Sequence, residues 1–160
     1  MRMPPMELLK TDLIRNALQR PLVVGALQKT VPRMDRFLLS VSRGWINTGM
    51  LSVALVETTG AKSGLPREIP TLCMPVGNAI VLVGSNWGKA SAPGWIHNLR
   101  ASGQAQVTFR GYKGPMAAKE LSGRSRQDMW KRLVEYNPQY GRYQEQAGRQ
   151  LPVMLLERVS

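Results

Sequence analysis

The spacing of apolar residues changes along the chain. Over residues 6–19, apolar side chains recur every three or four positions, which predicts an amphipathic helix that ends before Pro21. A second stripe with the same spacing follows Pro32, a residue suited to the first turn of a helix. From Met50 onward, short apolar or alternating runs separated by turn residues replace the helical spacing, and these runs indicate strands.

Five or six short strands are expected after residue 50. Pro70 and Pro75 fall in the second of them, which favours an edge or bulged position because proline has no backbone N–H to donate. The predicted strands cover residues 50–57, 67–76, 79–84, 104–110, 115–121 and 151–157, with a turn over 111–114. The expected helices cover residues 93–101, 125–136 and 139–148, the second opened by a capping box of Ser125 and Asp128. This order favours an α+β fold built on a small, mostly antiparallel barrel.

The net charge and the numbers of cysteine and histidine residues limit the kinds of function that are possible. The chain has 22 Lys and Arg against 10 Asp and Glu, a net charge of +12 that attracts nucleic acid, anionic lipid or a polyanionic small molecule. Cys73 and His97 are the only residues of their types, which excludes an internal disulfide and a metal site of several Cys or His ligands. A single cysteine fits the cytoplasm, and no apolar run approaches the roughly 18 residues that would span a bilayer.

Two interpretations of the N-terminal helices stay open. They pack against the core, or a basic helix lies on an anionic membrane surface, which would make the protein peripheral on the inner face of the membrane. We therefore expect two parts, with amphipathic and mobile or membrane-associated helices over residues 1–45 and a barrel domain over residues 46–160.

The turn after the first predicted strand is a candidate anion site. Gly60 and Gly64 permit positive φ, so that neighbouring backbone N–H groups can point at one ligand, and Lys62 and Arg67 add positive charge. The turn is not a P-loop, because the glycine before the lysine is missing and a strand follows where a helix is required. The alternative is a solvated hairpin turn without a ligand.

A second anion-friendly place is the start of the helix at Pro93, where backbone N–H groups lack partners. Near the C-terminus, Tyr136, Tyr140 and Tyr143 recur at helical spacing. Phenols can border a planar ligand or donate a proton, and the alternative is a helix that packs through its aromatic side.

Two motifs taken together resemble the deazaflavin-dependent nitroreductase family. One is Thr-Thr-Gly-x-Lys-Ser-Gly-x-Pro-Arg-x-x-Pro over residues 58–70, and the other is Pro-Gly-Trp-Ile-His-Asn-Leu-Arg over residues 93–100, with Ser-Asn-Trp-Gly between them at 85–88. The resemblance covers roughly residues 50–158. It implies a split β-barrel similar to barrels that bind flavin mononucleotide (FMN). It also implies coenzyme F420, a 5-deazaflavin with a phosphate and an oligoglutamate tail.

The resemblance also implies a role for each matching residue. The phosphate and tail are expected to meet Ala61, Lys62 and Ser63, with Arg67 as a second cation. The residues expected beside the deazaflavin rings are Glu68, Ile69, Pro70, Val83, Gly84, Ser85 and Asn86. The residues expected at the other end of the cofactor are Gly94, Trp95, Ile96, His97 and Asn98. The residues expected to act in catalysis are Ser85, near the reacting face, and Tyr136, Tyr140 and Tyr143, which would orient the acceptor or deliver a proton.

The implied activity is hydride transfer from reduced F420 to a quinone, an enone or a nitroaromatic compound. An FMN-binding oxidoreductase of the same barrel and a non-enzymatic flavin or deazaflavin carrier are the alternatives. Nucleic-acid binding is not expected, because no recognition motif accompanies the scattered basic residues. Leu72 and Trp87 depart from the family pattern, where tyrosine and glycine are common, and these departures affect the choice of acceptor.

Overall fold

The structure, a computed structural model, describes Thr30, Arg33, Met34 and residues 51–159. Six antiparallel strands close into a barrel in the order β1-β2-β3-β6-β5-β4. The strands are β1 Val53–Thr59, β2 Pro66–Val76, β3 Ala79–Val83, β4 Gln104–Phe109, β5 Tyr112–Glu120 and β6 Val153–Arg158. The helices are α1 Gly94–Ser102, α2 Gly123–Tyr136 and α3 Gln139–Ala147, with a 3-10 turn at Asn86–Gly88. The predicted α+β barrel is confirmed.

Strand β2 changes partner along its length. Residues up to Leu72 pair with β1, and residues from Cys73 onward pair with β3. Pro70 and Pro75 therefore each lie in a half of the strand with one ladder partner in the described sheet, where a missing N–H is tolerated. The predicted edge position is wrong for the strand as a whole, because β2 lies between β1 and β3 in a closed barrel, and only each half of it has a single partner.

Two apolar clusters share strand β3. Ile80 and Leu82 belong to the cluster inside the barrel, to which α1 contributes Ile96 and Leu99. The alternate β3 residues, among them Val81, belong to a second cluster that also contains side chains of α2 and α3. Because both faces of β3 are buried, its sequence is a continuous apolar run instead of an alternating one. Helix α1 therefore packs on the cluster inside the barrel, and α3 packs on the second cluster, on the other face of β3.

Two predicted boundaries are wrong. The N-cap of α2 is Ser122, and the Ser125 hydroxyl donates to the Ser122 carbonyl oxygen at 2.8 Å, so Ser125 and Asp128 form no capping box. The turn before β5 is shorter than predicted, because Arg110 and Gly111 both adopt positive φ, of 44° and 80°. Two consecutive residues of this kind are typical of a type I′ hairpin turn, which lets β5 begin at Tyr112.

The N-terminal predictions lie almost entirely outside the described residues. Thr30, Arg33 and Met34 have helical backbone, and the helix predicted over 6–19 and the division at residue 46 are not covered. Association of this part with a membrane stays a prediction. Among the described residues, no helix is long and apolar enough to cross a bilayer.

Candidate cofactor and active site

The 60–65 turn between β1 and β2 is closed by its own backbone. The Gly60 N–H donates to the Leu65 carbonyl and the Gly64 N–H donates to the Gly60 carbonyl, both at 2.8 Å. Gly64 has a φ of +67°, as expected, whereas Gly60 does not have positive φ. Glycine at position 60 instead serves close packing, because a Cβ there would lie 3.2 Å from the Leu65 carbonyl oxygen. Fewer backbone N–H groups than predicted are therefore left to bind an anion, because those of Gly60 and Gly64 donate inside the turn.

Asn98 ties this turn to helix α1. Its Oδ1 accepts a hydrogen bond from the Ala61 N–H at 2.9 Å, and its Nδ2 donates to the Thr58 hydroxyl at 3.0 Å. The buried Thr58 hydroxyl in turn donates to the Arg67 carbonyl oxygen at 3.4 Å. Both ends of the Asn98 amide are thus used to position the turn. Lys62 and Ser63, which follow Ala61, are exposed beside the helix.

The start of α1 is open. Pro93 provides no side-chain cap, and the first turn carries no acidic residue. Gly94 is exposed, and a Cβ built on it would meet no atom within 4 Å. Uncapped N–H groups and the positive end of the helix dipole favour an anion here. The three residues after Gly94 differ from one another in exposure. Trp95 packs against the barrel cluster, Ile96 is fully buried and His97 is exposed.

The segment after β3, residues 84–91, is called the 84–91 loop. It contains Ser85 and Asn86, which were predicted to lie beside the deazaflavin rings. Gly84 allows Ile96 to pack closely, because a Cβ on Gly84 would lie 2.8 Å from Ile96 Cγ1. The loop is held by Arg149, whose Nη2 donates to the carbonyl oxygens of Gly84 at 3.2 Å, Lys89 at 3.3 Å and Ser91 at 3.0 Å. Sequence reasoning missed Arg149, and its partners are backbone carbonyls 58 to 65 residues away, which leave no pattern in the sequence.

Trp87 occupies a backbone conformation that favours glycine. Its φ is 58°, between Asn86 at 46° and Gly88 at 77°. The side chain is 45% exposed, and its ring meets the ring of Tyr143 edge-on, with centroids 6.4 Å apart and planes at 70°. A left-handed backbone at an exposed aromatic residue is a common sign of a functional constraint. The loop and α3 are thereby joined through two aromatic rings.

The three predicted tyrosines have different surroundings. Tyr140 is 3% exposed in the second apolar cluster, and burial raises the pKa of its phenol. Tyr136 is half-buried, and its hydroxyl accepts a hydrogen bond from the Ser52 N–H at 3.2 Å. Tyr143 is half-buried against Trp87, and burial raises the pKa of its phenol as well. Of the three, Tyr143 lies next to the 84–91 loop, whereas Tyr140 belongs to the packed interior.

The remaining predicted residues lie on two strands. Arg67 is exposed at the start of β2, and the half-buried residues that follow it are Glu68, Ile69 and Pro70. Val83 is buried in the second cluster at the end of β3. The structure therefore brings the 60–65 turn and the 84–91 loop to opposite ends of the same short stretch of α1, through Asn98 and Ile96.

Comparisons with known proteins show the family to which the chain is similar. A profile of the F420H(2)-dependent quinone reductase family matches residues 33–158. The F420H(2)-dependent quinone reductase Rv1261c of Mycobacterium tuberculosis is 31% identical over 107 residues, which is 65% of this chain and 72% of that protein. The solved F420-H2 dependent reductase FDR-A is 34% identical, with a TM-score of 0.60 over 66% of this chain and 93% of its own. A solved structure described as a domain-swapped dimer is 29% identical, with a TM-score of 0.63 over 92% of this chain and 99% of its own.

The closed antiparallel barrel with flanking helices, together with the similarity to FDR-A, places the chain among the split-barrel flavin or deazaflavin reductases. The chain belongs to the F420H(2)-dependent quinone reductase family. It is therefore an oxidoreductase whose cofactor is coenzyme F420, as the sequence resemblance implied, and this membership favours F420 over FMN and an enzyme over a carrier.

Proposed function

We propose that this protein reduces quinones with reduced coenzyme F420 as the hydride source. A quinone that takes up one hydride and one proton becomes a hydroquinone, so the chain has to hold the cofactor, position the acceptor and leave a path for the proton. Enones and nitroaromatics are the other electron-poor acceptors for the same chemistry. The hydrogen bond between Ala61 and Asn98 carries the proposal, because it places the cationic turn against the helix that begins at Gly94.

The residues of the 60–65 turn fit a polyanionic cofactor. Lys62 and Ser63 are exposed and supply an ammonium group and a hydroxyl, and Arg67 supplies a guanidinium at the start of β2. The uncapped first turn of α1 supplies N–H donors, and the net charge of +12 attracts anions from a distance. In this proposal these groups bind the phosphate and the tail. When bound, coenzyme F420 supplies the hydride, and the protein supplies binding and orientation.

The acceptor lies, in this proposal, against the 84–91 loop and α3. Ser85 is half-buried at the base of the loop. Trp87, two residues further on, contacts the ring of Tyr143 of α3, so that two aromatic rings lie side by side. Because burial raises the pKa of Tyr143, its phenol stays protonated at neutral pH. A protonated phenol with a raised pKa donates a hydrogen bond to an acceptor oxygen better than it gives up its proton. Tyr143 is therefore assigned to orientation of the acceptor, and the proton is assigned to solvent.

The test measures cofactor binding and quinone reduction separately. Fluorescence titration of the purified protein with oxidised F420, and with FMN in parallel, gives the dissociation constants of the protein and of its Lys62→Ala variant. Loss of a charge-assisted contact to the phosphate should weaken F420 binding roughly tenfold, equivalent to about 1.4 kcal/mol. The rate of reduction of a soluble naphthoquinone at saturating F420 should change much less, because Lys62 is remote from the reacting ring in this assignment.

The matched control is Lys113→Ala, which removes the same charge from an exposed position on β5. Equal weakening by both variants would mean that only the overall charge attracts the cofactor, and the phosphate assignment would fail. Tight binding of FMN together with no binding of F420 would move the chemistry to the FMN alternative. Binding of F420 without turnover of quinones, enones or nitroaromatics would favour a carrier.

A further inference from the structure

The described residues form a polar cavity at the start of α2. It has a volume of about 520 Å³ and lies where the end of β5, the start of α2 and the segment before β6 meet. None of the residues assigned above to the cofactor or the acceptor lines it. Its polar lining comes from Arg100, Glu120, Ser122, Arg126, Gln127 and Gln150.

Arg126 is a buried cation that has no carboxylate partner among the described residues. The residue is 7% exposed, and its Nη2 donates to the Leu151 carbonyl oxygen at 2.8 Å and to Gln144 Oε1 at 3.0 Å. The guanidinium carbon lies 4.9 Å from the centroid of the Trp130 ring. None of these partners carries a negative charge, and burial lowers the pKa of the guanidinium. Burial of a charged group is costly unless the charge is paired, so a counter-ion at this place would be stabilising.

The guanidinium retains donors for such a counter-ion. All the hydrogen bonds described for it leave from Nη2, and a guanidinium carries three further N–H groups, on Nε and Nη1. Among the described residues, the only fully buried side-chain nitrogen or oxygen without a hydrogen bond is Nε of Arg149. The unpaired nitrogens of Arg126 are therefore not sealed in the protein, which is consistent with their residue lining the cavity.

The rest of the lining also favours an anion. Glu120 is neutralised by Arg100, whose Nε and Nη2 donate to its two carboxylate oxygens at 2.6 Å and 2.8 Å, so the charged lining residues sum to one excess positive charge. Ser122, the N-cap of α2, makes no side-chain cap, and the first turn of this helix carries no acidic residue. The positive end of a 14-residue helix thus lies beside an arginine that has no counter-ion among the described residues.

We propose that this cavity binds a small oxyanion, a phosphate or carboxylate group, between Arg126 and the first turn of α2. The volume lies within the range of small-molecule sites, so the group can belong to a free ion or to a small organic acid. This site is separate from the cofactor site and does not depend on the acceptor assigned above.

The experiment measures binding of inorganic phosphate and, separately, of glutarate to the full-length protein in a chloride buffer, by isothermal titration and by the shift in Tm. The unaltered protein should bind at least one of the two saturably, and which one binds identifies a tetrahedral or a planar oxyanion. Arg126→Gln should weaken this binding at least tenfold. Arg124→Gln is the matched control, because it removes the same charge from an exposed residue in the same helix turn that does not line the cavity.

A second variant keeps the proposal testable if Arg126→Gln does not fold. Gln127→Glu leaves every described Arg126 contact in place and adds a negative charge to the lining, so it should also abolish saturable binding. Lys62→Ala separates the cavity from the cofactor site and should leave oxyanion binding unchanged. No saturable binding by the unaltered protein, equal binding by the Arg124 and Arg126 variants, or loss of binding in Lys62→Ala would each overturn the proposal.

Discussion

Gly94 is the first residue of α1, and neither its backbone nor its neighbours require a glycine. Its φ is not in the left-handed region, and a Cβ on it would enter open space. The missing side chain leaves open space at the first turn, one helical turn before Asn98, which holds the cationic turn. Strain in the fold therefore does not explain a glycine here, whereas the cofactor proposed at the helix start would explain it.

The variant Gly94→Asp separates these two explanations. An acidic residue in the first turn of a helix is stabilising by about 0.3 to 1 kcal/mol, so the Tm should stay the same or rise slightly. The added carboxylate repels the phosphate and the tail, so F420 should bind at least tenfold more weakly in the fluorescence titration.

Gly94→Ala is the matched control, because it adds a Cβ without charge and should retain F420 binding. If Gly94→Asp and Gly94→Ala bound F420 equally, the start of α1 would not belong to the cofactor site.

Among the predicted site residues, the sequence indicated which side chains are exposed better than which are buried. Lys62 and Ser63 lie in a glycine turn, where an exposed cation is visible from local chemistry alone. Ile96 and Tyr140 matched the family pattern equally well, yet both side chains are buried in apolar clusters. Spacing along a helix shows that residues share a face, but the face that is covered depends on strands far away in the chain. The contacts of Arg149 were hidden for the same reason.

At the scale of elements, the 84–91 loop depends on a residue that follows α3. Asn86 and Trp87 are non-glycine residues with positive φ, a backbone state that costs on the order of 1–3 kcal/mol for each residue unless the surroundings hold it. The three carbonyl contacts of Arg149 and the bond from Asn86 Nδ2 to the Ser91 carbonyl at 3.0 Å supply that support. Arg149 therefore acts as a positioning residue for Ser85 and Trp87.

Arg149→Met should release the loop. Loss of one partly buried and two exposed hydrogen bonds to carbonyls should lower the free energy of unfolding by about 1–3 kcal/mol. The rate of quinone reduction should fall because Ser85 and Trp87 lose their fixed position. Arg149→Lys should recover part of both properties, since its ammonium group can reach some of the carbonyls. Arg142→Met, at an exposed arginine of α3, is the control, and an equal effect of the two methionine variants would argue against a positioning role.

The extent of each element was predictable where apolar spacing decides it. Strands β3, β4 and β6 were expected close to their observed bounds, because their apolar runs end at clear turn residues. The start of α2 was missed because Ser122 and Gly123 resemble a loop, and Gly123 has a φ of +54°. The hairpin after β4 was predicted with its turn too late and too long, because arginine at position 110 replaces the asparagine or glycine that normally marks a type I′ turn. Both errors arise where tertiary pairing overrides a weak local signal.

At the scale of the whole molecule, two buried acids couple stability to pH. Cys73 is 0% exposed inside the barrel, and burial raises the pKa of its thiol to about 12, an effect that the charge of Arg110 partly offsets. Tyr140 lies in the other cluster, and burial raises the pKa of its phenol. Both groups are neutral in the folded protein at pH values where the unfolded chain has begun to lose their protons.

A raised folded pKa fixes the direction of the pH dependence. Below the ordinary thiol pKa of about 8.5, Cys73 is protonated in both states and its contribution is fully present. As the pH rises from there toward 12, the unfolded chain ionises while the folded chain does not, so stability falls by about 1.4 kcal/mol for each pH unit. Tyr140 adds a similar loss above the ordinary phenol pKa of about 10.

The measurement is denaturant unfolding under reducing conditions at pH 7.5, 8.5, 9.5 and 10.5, for the protein and for Cys73→Ala. The difference between the two proteins isolates the contribution of the thiol from that of all other titrating groups. The alanine variant loses some packing at every pH. Between pH 8.5 and 10.5, its free energy of unfolding should fall by about 2–3 kcal/mol less than that of the unaltered protein. The two stability curves should therefore converge as the pH rises. Parallel curves would mean that the thiol ionises equally easily in both states, which would contradict its burial inside a closed barrel.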